Sequence, residues 1–239
     1  MTFILEFLSR ELESGGRVME IQPVAQDLGL AFRADAKAEG QHVCVGGWEC
    51  LGGCRPAEAR WFSVVLTRKS APWAFCRGEP YRTIAPLELF STLCVMLFGD
   101  RWPTGATGSV QLEGVTDNLG NTFSLAKLMS SKFPLVTILC ELAVQLRDRS
   151  MGLRLTWAPR DQNTEADALT NENFAAFSEE RRLSVEVESL KWKVLPAMLE
   201  AADAIYAKVR EERAAAAAAS RRGPPAAKRR VPLRQSDPW

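Results

Sequence analysis

Three β-like runs joined by links too short for a crossover constrain this chain more than any other feature. In Leu30–Ala36, Leu30, Phe32, Ala34 and Ala36 share one face while Arg33 and Asp35 share the other, the period-two pattern of a half-buried strand. A turn through Lys37–Gln41, with Gly40 supplying backbone freedom, leads to a second strand, His42–Trp48. A third, Trp61–Thr67, follows a Gly/Pro loop, and strands linked this closely pair antiparallel. The pattern then changes. A helix is predicted over Pro86–Phe98, a strand over Ser109–Thr116, helices over Leu119–Ser130 and from Pro134 to Arg149, a strand over Gly152–Trp157, and a last helix from Thr164. The order β-β-β-α-β-α-α-β-α predicts an α/β fold: a mixed five-stranded sheet, antiparallel in its first three strands and parallel in the remainder, with helices on both faces.

This unit spans residues 29–182 of 239. Residues 1–28 read as an N-terminal extension in which Phe3, Ile4, Leu5, Phe7 and Leu8 suggest a short apolar helix stopped near Gly15-Gly16. Residues 183–219 read as a C-terminal helical extension, with Leu190, Val194, Leu195, Met198, Leu199, Ala202, Ile205, Tyr206 and Val209 at helical spacing and Pro196 as a kink or restart. Residues 220–239 read as a disordered basic tail. The tail holds six basic residues against one acidic, a net +5, so the rest of the chain carries −4 within a total of +1. No apolar run approaches the roughly 18 residues of a membrane span, and Glu6, Glu11 and Glu13 argue against a transit peptide. An intracellular protein is expected, with no membrane partner. Of the six cysteines only Cys50 and Cys54 have ligand-like spacing, and His42 is the sole histidine, so buried thiols are favoured over zinc.

Four carboxylates stand where carboxylates are awkward. Asp35 lies inside a strand. Glu88 is the only charge in Pro86–Phe98, beside Ser91 and Thr92 on one narrow polar stripe. Asp117 sits at the carboxyl end of the fourth strand, the edge where open α/β sheets bind ligands. Asp167 begins the last helix. Each has a structural role open to it: Asp35 paired with Arg33, Glu88 complementing a helix dipole, Asp117 as a helix cap, Asp167 in a capping box with Thr164. Together they point elsewhere. If strands one and four are neighbours, the carboxylates converge, and like charges at one point need divalent cations; oxygen-only ligands suit Mg²⁺, or Mn²⁺ in its place.

The motifs around these residues resemble ribonuclease H. Phe32-Arg33-Ala34-Asp35-Ala36 with Val45-Gly46-Gly47-Trp48 is similar to that family's opening hairpin. Pro86-Leu87-Glu88-Leu89 resembles its first helix, and Val115-Thr116-Asp117-Asn118 its second aspartate-bearing strand end. Trp157-Ala158-Pro159-Arg160 and Asn163-Thr164-Glu165-Ala166-Asp167-Ala168-Leu169 resemble the segment that ends the ribonuclease H domains of retroelement reverse transcriptases.

The resemblance implies an RNase H-like fold and a catalytic metal site of Asp35, Glu88, Asp117 and Asp167. Two Mg²⁺ ions held there would cleave the RNA strand of an RNA–DNA hybrid. It also implies hybrid recognition by shape, phosphates and RNA hydroxyls, with Lys37, Asn118, Asn121, Arg160 and Asn163 as candidate nucleic-acid contacts. For Lys37, Asn118 and Asn121, turn and helix-cap roles compete with that reading. A reverse-transcriptase polymerase domain is the implied partner, since residues 1–28 are too few to hold a palm domain. Unlike many family members, the stretch Ala158–Thr164 has no histidine. Two other readings stay open: a DNA nuclease of the same fold, and a catalytically inactive remnant that binds nucleic acid or protein. Lys228-Arg229-Arg230 after Arg221-Arg222 reads either as phosphate affinity or as a nuclear address.

Overall fold

A computed structural model of the chain describes residues 26–76, 78–98 and 110–202, together with positions 9, 13, 204, 211 and 215. The expected N-terminal helix, the basic tail and the helical positions past residue 202 lie outside the described residues, apart from those isolated positions. Among the described residues up to Leu199, five strands form one sheet: β1 (Gln26–Glu39), β2 (His42–Glu49), β3 (Trp61–Leu66), β4 (Val110–Thr116) and β5 (Met151–Trp157). The strand order is β3-β2-β1-β4-β5. β1–β2 and β2–β3 pair antiparallel; β1–β4 and β4–β5 pair parallel. This is the mixed five-stranded sheet, antiparallel in its first three strands and parallel in the remainder, expected from the order of elements.

Four α-helices connect the strands: α1 (Ile84–Phe98), α2 (Leu119–Lys127), α3 (Leu135–Asp148) and α4 (Thr164–Thr170). Helix α1 begins two residues before the expected Pro86, whose missing N–H costs nothing in a first turn. Helix α2 ends earlier than expected, because Leu128 turns left-handed (φ 47°) and its N–H folds back onto Leu125 and Ser124 carbonyls. β1 extends past its predicted limits at both ends, and its pairing with β4 shifts register around Leu30.

A pair of glycines in β2 sets how closely the helices approach. A Cβ on Gly46 would lie 2.9 Å from the Leu169 Cβ of α4, and one on Gly47 would lie 2.7 Å from a Val95 methyl of α1. The two residues point to opposite faces, so a helix seats closely on each side of the same strand. Phe32, Leu87, Leu89, Phe90, Leu93, Ile138 and Leu142 are fully buried. A second cluster, Trp48, Trp61, Ala166, Leu169 and Phe177, lies under α4.

The expected helix over residues 183–194 is absent. The chain there runs as a strap with one 3-10 turn, Val187–Ser189, and α-helix only from residue 195. Helical spacing was real but tertiary partners claimed the backbone. Leu183 N–H bonds the Trp61 carbonyl (2.8 Å), and Arg182 lies over the Trp61 and Phe174 rings. Trp192 packs 5.7 Å from the Phe90 ring. Glu141 of α3, wholly buried, accepts the N–H groups of Lys193, Val194 and Leu195 at 2.7–3.1 Å. It thereby caps the helix that opens at Leu195, with Pro196 in its first turn.

Two outcomes are expected in denaturant unfolding. Glu141→Leu strands three backbone donors and should cost about 3 kcal/mol or more. Gly47→Ala, which drives a Cβ into stiff Val95, should cost about 1–3 kcal/mol.

Candidate metal centre

Asp35 and Asp117 meet because β1 and β4 are parallel neighbours. Arg33 pairs with Val115, and two residues further along each chain come Asp35 and Asp117, the latter just beyond the end of β4. Glu88 arrives from α1. Its helix is pinned to the sheet by Ser91, whose hydroxyl donates to the Gly46 carbonyl (2.6 Å), and to α2 by Asn121, whose amide donates to the Ala85 carbonyl (2.9 Å). One oxygen from each of Asp35, Glu88 and Asp117 can be chosen so that all lie within 4.8 Å of one another.

The electrostatics are those of a site short of positive charge. Asp35 is 2 % exposed and Glu88 8 %. Burial, then the Asp117 charge, pushes Asp35 up to about 6, against the opposing pull of the Ala36 backbone and the Thr170 hydroxyl. Burial, then Asp117 and Asp35, pushes Glu88 up to about 8, with Asn118 and Thr116 opposing. Among the described residues, Glu88 Oε2 and Asp117 Oδ1 are buried without a hydrogen-bond partner. Oxygen donors, orphaned lone pairs and mutual repulsion fit a hard divalent cation.

Asp167 is not one of this trio. Its Oδ1 accepts Arg160 Nε (2.9 Å) and Nη2 (2.7 Å), and its Oδ2 accepts the Asn171 amide (2.8 Å). It still adds to the field that raises Asp35. The simpler roles are taken by other groups. Asn118, not Asp117, caps α2, its Oδ1 accepting Asn121 N–H (3.2 Å). Arg33 bonds the Gln162 carbonyl (2.7 Å). Asn163 precedes α4 without a side-chain cap.

Two of the expected nucleic-acid contacts are corrected. Asn121 and Asn163 are each 1 % exposed, and they tie backbone together: Asn121 to Ala85, and Asn163 to the Ala34 carbonyl (3.3 Å). Lys37, Asn118 and Arg160 retain access at the rim; Lys37 holds Glu39 (3.0 Å) and Asn171 (2.9 Å). Thr170 was not foreseen. Fully buried, its hydroxyl lies 3.1 Å from Asp35 Oδ2 and 3.0 Å from the Asp167 carbonyl. The spacing of Thr170 from Asp167 shows the second contact; nothing local shows the first, made across 135 positions.

No protein-family model and no curated protein matches the chain. Among solved structures it is similar to RNase H1 from Halobacterium salinarum NRC-1, at 17% identity over 62% of this chain and 98% of that one, TM-score 0.38. It is also similar to LC11-RNase H1, isolated from compost by a metagenomic approach (18% identity, 60% and 94% covered, TM-score 0.43). The same LC11 enzyme in complex with an RNA/DNA hybrid gives 16% identity, 60% and 95% covered, and a TM-score of 0.42. At these values the fold assignment rests on strand order and register, not on the likeness.

A carboxyl raised on folding favours the folded state while protonated, so its contribution is lost as pH climbs from the unfolded to the folded value. Metal-free protein should therefore lose thermal stability between about pH 4.5 and 8, by at most about 1.4 kcal/mol per pH unit for Glu88. Glu88→Gln should flatten that profile, and saturating Mg²⁺ should raise the wild-type melting temperature most at the alkaline end.

Proposed function

We propose that the chain is a Mg²⁺-dependent endonuclease of ribonuclease H type, derived from a retroelement, that cleaves the RNA strand of RNA–DNA hybrids. The observation that carries the reading is the convergence of Asp35, Glu88 and Asp117 at the carboxyl end of the central parallel strands, with two carboxylate oxygens left unpaired. The retroelement origin rests on the Asn163–Leu169 motif, and the choice of an RNA–DNA hybrid on the same resemblance.

Asp35, Glu88 and Asp117 would hold the cation. When bound, it supplies positive charge against the charge that develops on the phosphate oxygens and activates a water for attack. The chain's own residues do the rest. Thr170 fixes one oxygen of Asp35, so that carboxylate is oriented before substrate arrives. Without a cation a phosphodiester would meet uncompensated negative charge, so substrate binding and metal binding are expected to depend on each other. Arg160 and Lys37 at the rim offer cationic contacts to the phosphate backbone. We place the protein inside the cell, with the basic run past Ser220 as added phosphate affinity or a nuclear address, and a polymerase domain as its partner.

An inactive binding module is favoured by one observation, the engagement of Asp167 by Arg160 and Asn171. The assay is incubation with end-labelled hybrid and Mg²⁺. Cleavage of the RNA strand should fall by about a thousandfold or more in Asp35→Asn and in Asp117→Asn, roughly 4 kcal/mol of barrier. Cleavage that persists in both variants would discard the site, and hybrid binding without any cleavage would favour the module. Preference for duplex or single-stranded DNA in the same assay would shift the assignment to a DNA nuclease.

A further inference from the structure

Each carboxylate of the trio is anchored differently. Asp35 has the Thr170 hydroxyl, and Glu88 rides on a helix pinned at Ser91 and Asn121. Asp117 stands one residue past Thr116, where β4 ends, and its Oδ1 is buried without a partner. Repulsion from Asp35 and Glu88 pushes this residue outward, and peptide units free to rotate would let it go. Its main chain is held instead. The Thr116 carbonyl accepts the Ala158 N–H (3.0 Å), which tethers the peptide before Asp117. The peptide after it is tethered at both ends: the Asp117 carbonyl accepts the indole N–H of Trp157 (3.0 Å), and the Asn118 N–H donates to the Thr116 hydroxyl (3.2 Å). Trp157 is well placed for this, because in the β4–β5 register it pairs with Thr116.

We propose that Trp157 is a positioning residue for Asp117: its indole N–H fixes the peptide that carries this carboxylate and so keeps it in the set that binds the cation. A peptide unit is planar, so holding the planes on both sides of Asp117 fixes its two soft dihedrals, and with them the direction in which its side chain leaves the backbone. Without the indole N–H, the peptide after Asp117 keeps only the longer bond from Asn118 to a hydroxyl of its own turn. Packing is a poor account of Trp157, which is 46 % exposed. An indole has one polar hydrogen and no acceptor, and here that hydrogen goes to the Asp117 carbonyl. A ring that stacked on nucleic acid would use its face and have no need of the N–H. The inference rests on the metal-nuclease reading and adds to it a residue outside the acidic set, acting on the carboxylate through the main chain.

The test is Mn²⁺ titration of the full chain by calorimetry, without nucleic acid. Trp157→Phe keeps an aromatic ring and removes the donor. It should bind Mn²⁺ about tenfold more weakly than wild type, the usual effect of losing a group that orients a metal ligand. With no nucleic acid present, a ring that only stacks on a base would leave this affinity unchanged. A ring that only supports the fold would lower the melting temperature without changing the affinity of the folded protein, whose integrity circular dichroism establishes. A second measurement needs no variant. In wild type carrying ¹⁵N-labelled tryptophan, the Trp157 indole resonance should shift on Mg²⁺ addition with the same midpoint as ion binding. Unchanged Mn²⁺ affinity in folded Trp157→Phe overturns the assignment and leaves the metal site standing. So does an indole resonance that stays still while calorimetry records Mg²⁺ binding. Wild type that takes up neither ion removes the metal reading itself, and this proposal with it.

Discussion

Three carboxylates brought within 4.8 Å of each other in a desolvated corner must be held there by the rest of the fold. At an effective dielectric constant of about 20, each fully ionised pair at that distance repels by about 3.5 kcal/mol. Three such pairs approach the entire net stability of a typical domain, about 5–15 kcal/mol. The chain answers by holding protons more tightly than usual on Asp35 and, more strongly, on Glu88, where a cation would displace them, and by bracing the elements that carry them. The bracing consists of few bonds: Ser91 to β2, Asn121 to the start of α1, and the close seating of α1 over Gly47.

Two buried glutamates show how partnering separates a structural charge from a reactive one. Glu141 has no exposed surface, and its carboxylate is satisfied by three successive backbone N–H groups and the Gln145 amide. Such a group fixes the chain and has nothing left to offer a ligand. Glu88 is almost as deeply buried, yet one of its oxygens is unpaired, and its nearest charges are of its own sign. Burial is common to both; the difference lies in what surrounds the oxygens. The strap from Arg182 to Leu195 belongs to the same scheme. Anchored by Glu141 and by Trp192 on Phe90, it covers the helix that presents Glu88.

Much of this was readable in the residues. Alternation in Leu30–Ala36, the lone charge in Pro86–Phe98 and Asp117 at a strand end announced both the sheet and the trio, because strand and helix periodicity are local properties. What escaped was decided by distant partners. Asn121 and Asn163 look like surface residues near a site, but backbone carbonyls of Ala85 and Ala34 draw them inside. Helical spacing begins at Leu190, but Glu141 holds the backbone of Lys193 and Val194 outside the helix, and Trp61 holds that of Leu183. Asp167 lies in the helix expected of it, but its partners are Arg160 and Asn171, not Thr164; the pairing with Arg160 depends on how a short turn folds back, which spacing does not reveal.

By itself the sequence determined the order of strands and helices, the antiparallel opening hairpins and the identity of the acidic residues, since these follow from hydrophobic period, short links and the cost of burying charge. Only the tertiary structure decided which carboxylates share one space and which is already neutralised. That outcome depends on β1 lying beside β4, on a glycine pair that lets two helices close in, and on a guanidinium reaching one aspartate before any other cation. Asp35 and Asp117 stand 82 positions apart, and contacts at such separations are set by packing in three dimensions, which no local pattern encodes.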